Sequence, residues 1–82
     1  MKADLRRRIF SMGVEVEAQV TGRVVRVEAK VGDEVAEEAT LLILESMKME
    51  IPVEAPSAGR VSAIRVGEGD AVEEGDVLVV LD

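Results

Sequence analysis

The residues with the most useful chemistry lie in a short segment near the middle of the chain, Glu45 to Ile51. Lys48 stands between Met47 and Met49, and it is one of only three lysines among 82 residues. A primary amine on a four-carbon stem becomes a nucleophile when deprotonated, and it forms a stable amide with an acyl group. Because an ordinary lysine amine is almost fully protonated at neutral pH, a separate enzyme would have to activate it.

The flanking methionines admit two interpretations. In the first, Lys48 is a solvated surface residue, and Met47 and Met49 help to cap the core. In the second, the methionines are exposed, and their flexible, polarizable side chains form an apolar feature that different partners recognise in turn.

Most other chemistry is excluded by composition. The chain contains no cysteine and no histidine, which removes thiolate nucleophiles, imidazole bases, disulfides and nitrogen/sulfur metal sites. Carboxylate chemistry and calcium binding remain open, but Asp33, Asp70 and Asp76 lack the spacing of a calcium loop. A chain this short also buries too little surface for a deep pocket. We therefore predict no catalytic residue and no metal site.

The net charge of −7 argues against binding to nucleic-acid phosphates, which requires clustered cations. No apolar run approaches 18 residues, and the basic cluster Arg6 to Arg8 is not followed by the apolar core of a signal peptide. We expect a cytoplasmic protein that contacts neither nucleic acid nor membrane.

Short strands are predicted throughout residues 13–82. The apolar residues are mostly β-branched, with fifteen valines and four isoleucines, and these side chains suit a pleated sheet. Apolar and polar residues alternate from Val14 to Val20 and again from Val25 to Val31, which indicates strands with one wet face. Turn residues divide the chain at Gly22, Gly32–Asp33, Pro56–Gly59, Gly67–Asp70 and Gly75–Asp76.

Residues 1–12 differ in composition from the rest. They carry a charge of +3, whereas residues 13–82 carry −10. Leu5, Ile9 and Met12 could form a short apolar stripe on a partner-docking helix, but such short helices are marginal alone. We predict a flexible N-terminal tail over 1–12 and one folded domain over 13–82.

The sequence contains an internal repeat of 37 residues. Residues 16–45 align without a gap to residues 53–82, and twelve of the thirty pairs are identical, including Gly22/Gly59 and the paired Gly-Asp turns. Two such units, each too small to bury its own apolar face, would close on each other as a two-fold sandwich or flattened barrel of about four strands per unit.

The repeat also places Lys48. The segment from Leu41 to Ala55 contains no glycine and resembles one strand of fifteen residues, which is uncommonly long. Because the joint between the two units falls within it, at residues 46–52, we predict a hairpin there. Lys48 should then lie on the outward side of its tip, at the end of the domain opposite the chain termini.

These residues carry a resemblance to a known family. The run Glu45-Ser46-Met47-Lys48-Met49-Glu50-Ile51, with Ala18 to Gly22 upstream and Ala55 to Gly59 downstream, resembles the biotinyl domain of biotin-dependent carboxylases, or biotin carboxyl carrier protein. The similarity spans residues 14–82. It implies an all-β flattened barrel, or barrel-sandwich hybrid, of two four-stranded antiparallel sheets with pseudo-two-fold symmetry. No insertion between Arg23 and Asp33 resembles the protruding thumb of some carriers, so the chain resembles the thumbless kind.

The resemblance also implies a function. A biotin protein ligase would attach biotin covalently to Lys48, and the domain would shuttle carboxybiotin between a biotin carboxylase and a carboxyltransferase without catalysing either reaction. Met47 and Met49 would be recognised by the ligase and the carboxylase. Glu45 and Glu50 would guide docking electrostatically, or they would simply belong to an acidic surface.

Two other functions remain open. Glu45-Ser46 before the lysine also resembles lipoyl domains, so lipoate is an alternative cofactor and a 2-oxo acid dehydrogenase an alternative system. The methionines favour biotin. A third possibility is an unmodified adaptor that uses the methionine-flanked hairpin only to bind protein.

Overall fold

The computed structural model describes residues 13–82, and these residues contain eight strands and no helix. The predicted tail over 1–12 lies outside the described residues and stays a prediction. The strands are β1 (Val14–Glu17), β2 (Gly22–Val27), β3 (Glu34–Val35), β4 (Thr40–Ser46), β5 (Met49–Glu54), β6 (Gly59–Ile64), β7 (Ala71–Val72) and β8 (Val77–Leu81). Among residues 13–82, no helix could span a membrane.

The strands form two four-stranded antiparallel sheets, as predicted. The strand order is β1-β8-β6-β3 in one sheet and β5-β4-β2-β7 in the other. Strands β1 to β4 come from the first repeat and β5 to β8 from the second, so each sheet takes two strands from each repeat. The sequence did not predict this exchange of strands between the halves.

The two repeats are equivalent in structure as well as in sequence. A shift of 37 residues superposes β2 on β6 and β3 on β7 residue for residue, and it exchanges one sheet with the other. The pair Val14/Leu81 in the first sheet corresponds to the pair Ile51/Leu44 in the second. Gly13 and Asp82, the first and last described residues, therefore occupy the end of the domain that is equivalent to the β4–β5 hairpin, and Lys48 lies at the hairpin tip as predicted.

The core lies between the sheets and is built from valine, leucine and alanine side chains. Its largest fully buried members are Leu41, Leu42, Leu44, Leu78, Leu81, Val24, Val61 and Val79. Within residues 13–82, neither methionine belongs to it, and no polar or charged side chain is buried. Apolar burial of about 25 cal/mol per Å² is the principal stabilising term in such a domain.

The predicted strand from Val25 to Val31 is only partly correct. A register shift between Val24 and Arg26 places Val24, rather than Val25, in the core, and β2 ends at Val27. Val31 lies in a turn with 64% of its surface exposed. A β-bulge adds one residue to one strand and so inverts the alternation beyond it, which period-two patterning cannot anticipate.

Two matched glycines hold the strands close together at the ends of the domain. A Cβ atom on Gly22 would overlap the backbone carbonyl oxygen of Glu45, and one on Gly59 would lie 2.7 Å from that of Asp82. These two contacts are related by the repeat, since Glu45 aligns with Asp82. Gly22 thus sets the approach of β2 to β4 immediately before the hairpin.

Candidate functional site

The β4–β5 hairpin ends in a two-residue turn made of Met47 and Lys48. Ser46 and Met49 form the last pair of the ladder, and the two turn residues have φ angles of 53° and 67°. Positive φ at both central positions is the signature of a type I′ turn, in which Asn-Gly is the usual sequence. Methionine and lysine adopt this backbone at a cost in free energy, because their Cβ atoms crowd the left-handed region.

The turn presents its side chains to solvent. Met47 is 90% exposed and Met49 is 62% exposed, and Lys48 is exposed between them. The interpretation that the methionines cap the core is therefore wrong. The apolar alternation of β5 reaches the interior only at Ile51 and Val53, while Met47 lies in the turn and Met49, the first residue of β5, is exposed.

The Lys48 amine makes no hydrogen bond or ion pair within the described part of the chain. The ion pairs between residues 13–82 are Arg26–Glu28 and Arg60–Glu34, and Lys48 belongs to neither. The hydrogen bond to Glu28 raises the pKa of Arg26, so the guanidinium charge of Arg26 is paired with Glu28. Lys48 is thus the ammonium group that the hairpin displays.

A hydrogen bond ties the hairpin to the loop between β1 and β2. The Ser46 hydroxyl donates to the carbonyl oxygen of Thr21 at 2.9 Å. Ser46 precedes the turn and Thr21 precedes Gly22, so this bond reinforces the close approach made by the glycine. Sequence reasoning missed this contact, since no local pattern links two residues that are 25 positions apart.

Glu45 and Glu50 lie directly opposite each other one step below Ser46 and Met49. Both are exposed, and Glu45 also pairs with Arg23 on the other side of β4. The structure therefore brings all five predicted site residues together at one end of the domain: Glu45, Met47, Lys48, Met49 and Glu50.

A shallow groove of about 260 Å³ runs between the free edges of β1 and β5. Apolar side chains such as Val16, Val20 and Ile51 line it, with Glu15 and Glu54 on its walls. Lys48 does not line this groove. The amine is consequently available to a large partner rather than enclosed by its own domain.

The three aspartates considered for calcium binding form hydrogen bonds within their own turns. The carboxylates of Asp33, Asp70 and Asp76 accept hydrogen bonds from backbone amides three residues earlier, at 2.8–2.9 Å. Such bonds stabilise tight turns. Among residues 13–82, no cluster of three or more acidic side chains could hold a metal ion.

Comparison with known families identifies the fold and its class. The family described as biotin-requiring enzyme, the biotin/lipoyl family, matches residues 11–81. The chain belongs to this family. Its eight strands in two four-stranded antiparallel sheets are those of a biotinyl domain.

Solved structures of carboxylases contain similar domains. Residues of this biotin/lipoyl domain superpose on part of the Kluyveromyces lactis urea carboxylase with a TM-score of 0.82 and 36% identity, over 85% of this chain and 6% of that one. A single-chain, multi-domain long-chain acyl-CoA carboxylase gives a TM-score of 0.79 and 38% identity, over 83% of this chain and 7% of that one. No curated protein sequence matches this domain.

The two structural relatives are far longer than this domain, which spans less than a tenth of each. In both, a biotin/lipoyl domain is one part of a larger carboxylase. This chain is therefore similar to one small part of each carboxylase.

Proposed function

We propose that this domain carries biotin as an amide on the Nζ atom of Lys48 and delivers it to two active sites of a biotin-dependent carboxylase. The observation that carries the proposal is the turn itself. It places one exposed amine, which makes no hydrogen bond or ion pair with the rest of residues 13–82, between two exposed methionines at the tip of a hairpin.

These residues fit the cofactor. An amide to biotin requires a primary amine that can enter the active site of a ligase, and a two-residue turn projects Lys48 beyond the last ladder pair, Ser46/Met49. Because both turn residues have left-handed backbone, the backbone that carries the amine forms a tight two-residue turn. A domain with an ordered tip offers the ligase a preorganised target, which lowers the entropic cost of binding.

The attachment step follows from ordinary amine chemistry. The ligase removes a proton from the Lys48 ammonium, and the neutral Nζ attacks the activated carboxyl carbon of biotin. A C–N amide bond forms, the bond to the activating group breaks, and the positive charge of the lysine is lost. Met47 and Met49 provide apolar contacts to the ligase in this encounter.

In the loaded domain, biotin supplies the site to which a carboxyl group is attached and from which it is transferred. The domain itself contributes position. A tethered group reaches each active site at an effective concentration far above that of a free cofactor. We propose a biotin protein ligase, a biotin carboxylase and a carboxyltransferase as partners, in the cytoplasm, with no chemistry performed by residues 13–82.

Intact-mass spectrometry tests the proposal directly. The purified chain is incubated with a biotin protein ligase, biotin and ATP, and in parallel with a lipoate ligase, lipoate and ATP. We expect one biotin adduct per chain, mapped to Lys48 by peptide sequencing, and little lipoyl adduct. A preference for lipoate would assign the domain to lipoyl carriers, and the absence of both adducts would favour the unmodified adaptor.

A further inference from the structure

The two methionines of the hairpin expose their thioether side chains to solvent. Met47 is 90% exposed and Met49 is 62% exposed, and neither contributes to the core. Thioethers in cores are shielded from oxidants, whereas exposed methionines react with peroxides to give sulfoxides. Both reactive atoms lie beside the amine that the proposed function uses.

We propose that Met47 and Met49 are sites of reversible oxidation that regulate the loading of Lys48. The consequence for loading depends on the proposed function, whereas the oxidation itself does not. In the reaction, the thioether sulfur attacks one oxygen of a peroxide, an S–O bond forms and the O–O bond breaks. The sulfur loses two electrons, and hydrogen peroxide is reduced to water.

Oxidation would change recognition without changing the fold. A sulfoxide replaces a flexible apolar side chain with a polar, chiral one. At an apolar contact with a ligase, its oxygen would be buried without a hydrogen-bond partner, which lowers affinity by about tenfold or more. The core would be unaffected, because its buried members are valines, leucines and alanines.

The exposure difference predicts an order of reaction that needs no ligase to observe. Met47 occupies the turn, and Met49 belongs to β5 and is the less exposed of the two. We expect Met47 to oxidise first and both to oxidise without unfolding. Peptide mapping during treatment of the full chain with hydrogen peroxide measures both rates.

Loading is then measured on the oxidised chain. After peroxide treatment and its removal, we expect biotin attachment by the ligase to slow by about tenfold at an unchanged Tm. The two methionine sulfoxide reductases, one for each sulfoxide epimer, supplied with a dithiol that provides the two electrons and is oxidised to its disulfide, should restore the original rate. An untreated chain that takes no biotin would overturn the proposed function instead, and it would leave the oxidation rates as a separate result.

A matched variant controls for other damage. Met47→Leu/Met49→Leu keeps Met1 and Met12, so peroxide can still oxidise the N-terminal methionines. Its rate after treatment, divided by its own untreated rate, should stay near one. Three results would overturn the proposal. The oxidised wild-type chain could load at the original rate, the reductases could fail to restore the rate, or Tm could fall in parallel with the loss of loading.

Discussion

Glu45 and Glu50 face each other across the hairpin, one residue pair below the turn that displays Lys48. Like charges directly opposite in an antiparallel ladder are destabilising, so this pair opposes the closure of the hairpin it belongs to. The same two carboxylates place negative charge beside an ammonium group and two apolar side chains. The hairpin end therefore combines apolar contacts with a local acidic field.

Removing one of these carboxylates should stabilise the domain and slow its recognition. We expect Glu50→Gln to raise the free energy of unfolding by about 0.5 kcal/mol, as repulsion with Glu45 is relieved. Ligase association should slow at low ionic strength and converge with wild type at high salt. Chemical denaturation and initial loading rates measure the two effects. The control is Glu54→Gln, because Glu54 lies opposite the uncharged Thr40. Equal effects on stability and association rate in this variant would show that Glu45 and Glu50 act only as part of a general acidic surface.

The amine of Lys48 should be dispensable for folding and essential for loading. Lys48→Arg keeps the charge but removes the primary amine, and an exposed substitution of this kind alters stability by no more than about 0.5 kcal/mol. We expect an unchanged Tm and no biotin adduct by intact mass. Lys30→Arg, at another exposed lysine, should load normally. Loading of the Lys48→Arg chain would move the attachment site elsewhere.

The turn should be more stable with residues that favour left-handed backbone. Met47 adopts a φ of 53°, where asparagine is better tolerated than methionine. Met47→Asn should therefore raise the free energy of unfolding by about 1 kcal/mol while slowing loading by the ligase. Met49 lies in β5, so Met49→Asn should not raise the free energy of unfolding. If Met47→Asn were destabilising, the turn would not be strained in the way that its dihedral angles indicate.

The close approach at Gly22 should not tolerate a side chain. A Cβ atom there would overlap the Glu45 carbonyl oxygen, and relief requires β2 to move away from β4. We expect Gly22→Ala to lower the free energy of unfolding by about 2 kcal/mol. Gly67→Ala meets no atom within 4 Å and should be neutral or slightly stabilising. Urea denaturation of both variants measures the two changes in the free energy of unfolding. Equal losses in the two variants would contradict the importance of the close approach at Gly22.

Much of the fold was accessible from the repeat. Aligning Gly22 with Gly59 and the Gly-Asp turns with each other predicted a two-fold sandwich or flattened barrel of about four strands per unit, with a hairpin at residues 46–52 that no glycine marks. The resemblance of the segment around Lys48 identified the family. The repeat and the resemblance both depend on the spacing of residues along the chain, which can be read directly from the sequence.

Other features depend on contacts that spacing does not record. Sequence patterns did not predict the turn after Ala36, where Glu38 takes a φ of 73° in the position that Gly75 occupies in the second repeat. They also gave no sign of the Ser46–Thr21 hydrogen bond or of the shift at Val24. Each is decided by the partner strand, and tertiary packing overrides local preference at such points.

The exchange of strands between the two repeats bears on how such a domain could have arisen and how many groups it can carry. A single 37-residue unit could complete neither sheet alone, so its simplest folded form would be an intertwined homodimer with two identical ends. Fusion into one polypeptide closes only one of those ends as a hairpin, and it leaves the other to the chain termini. Duplication followed by fusion would therefore yield one lysine-bearing hairpin of this kind per domain.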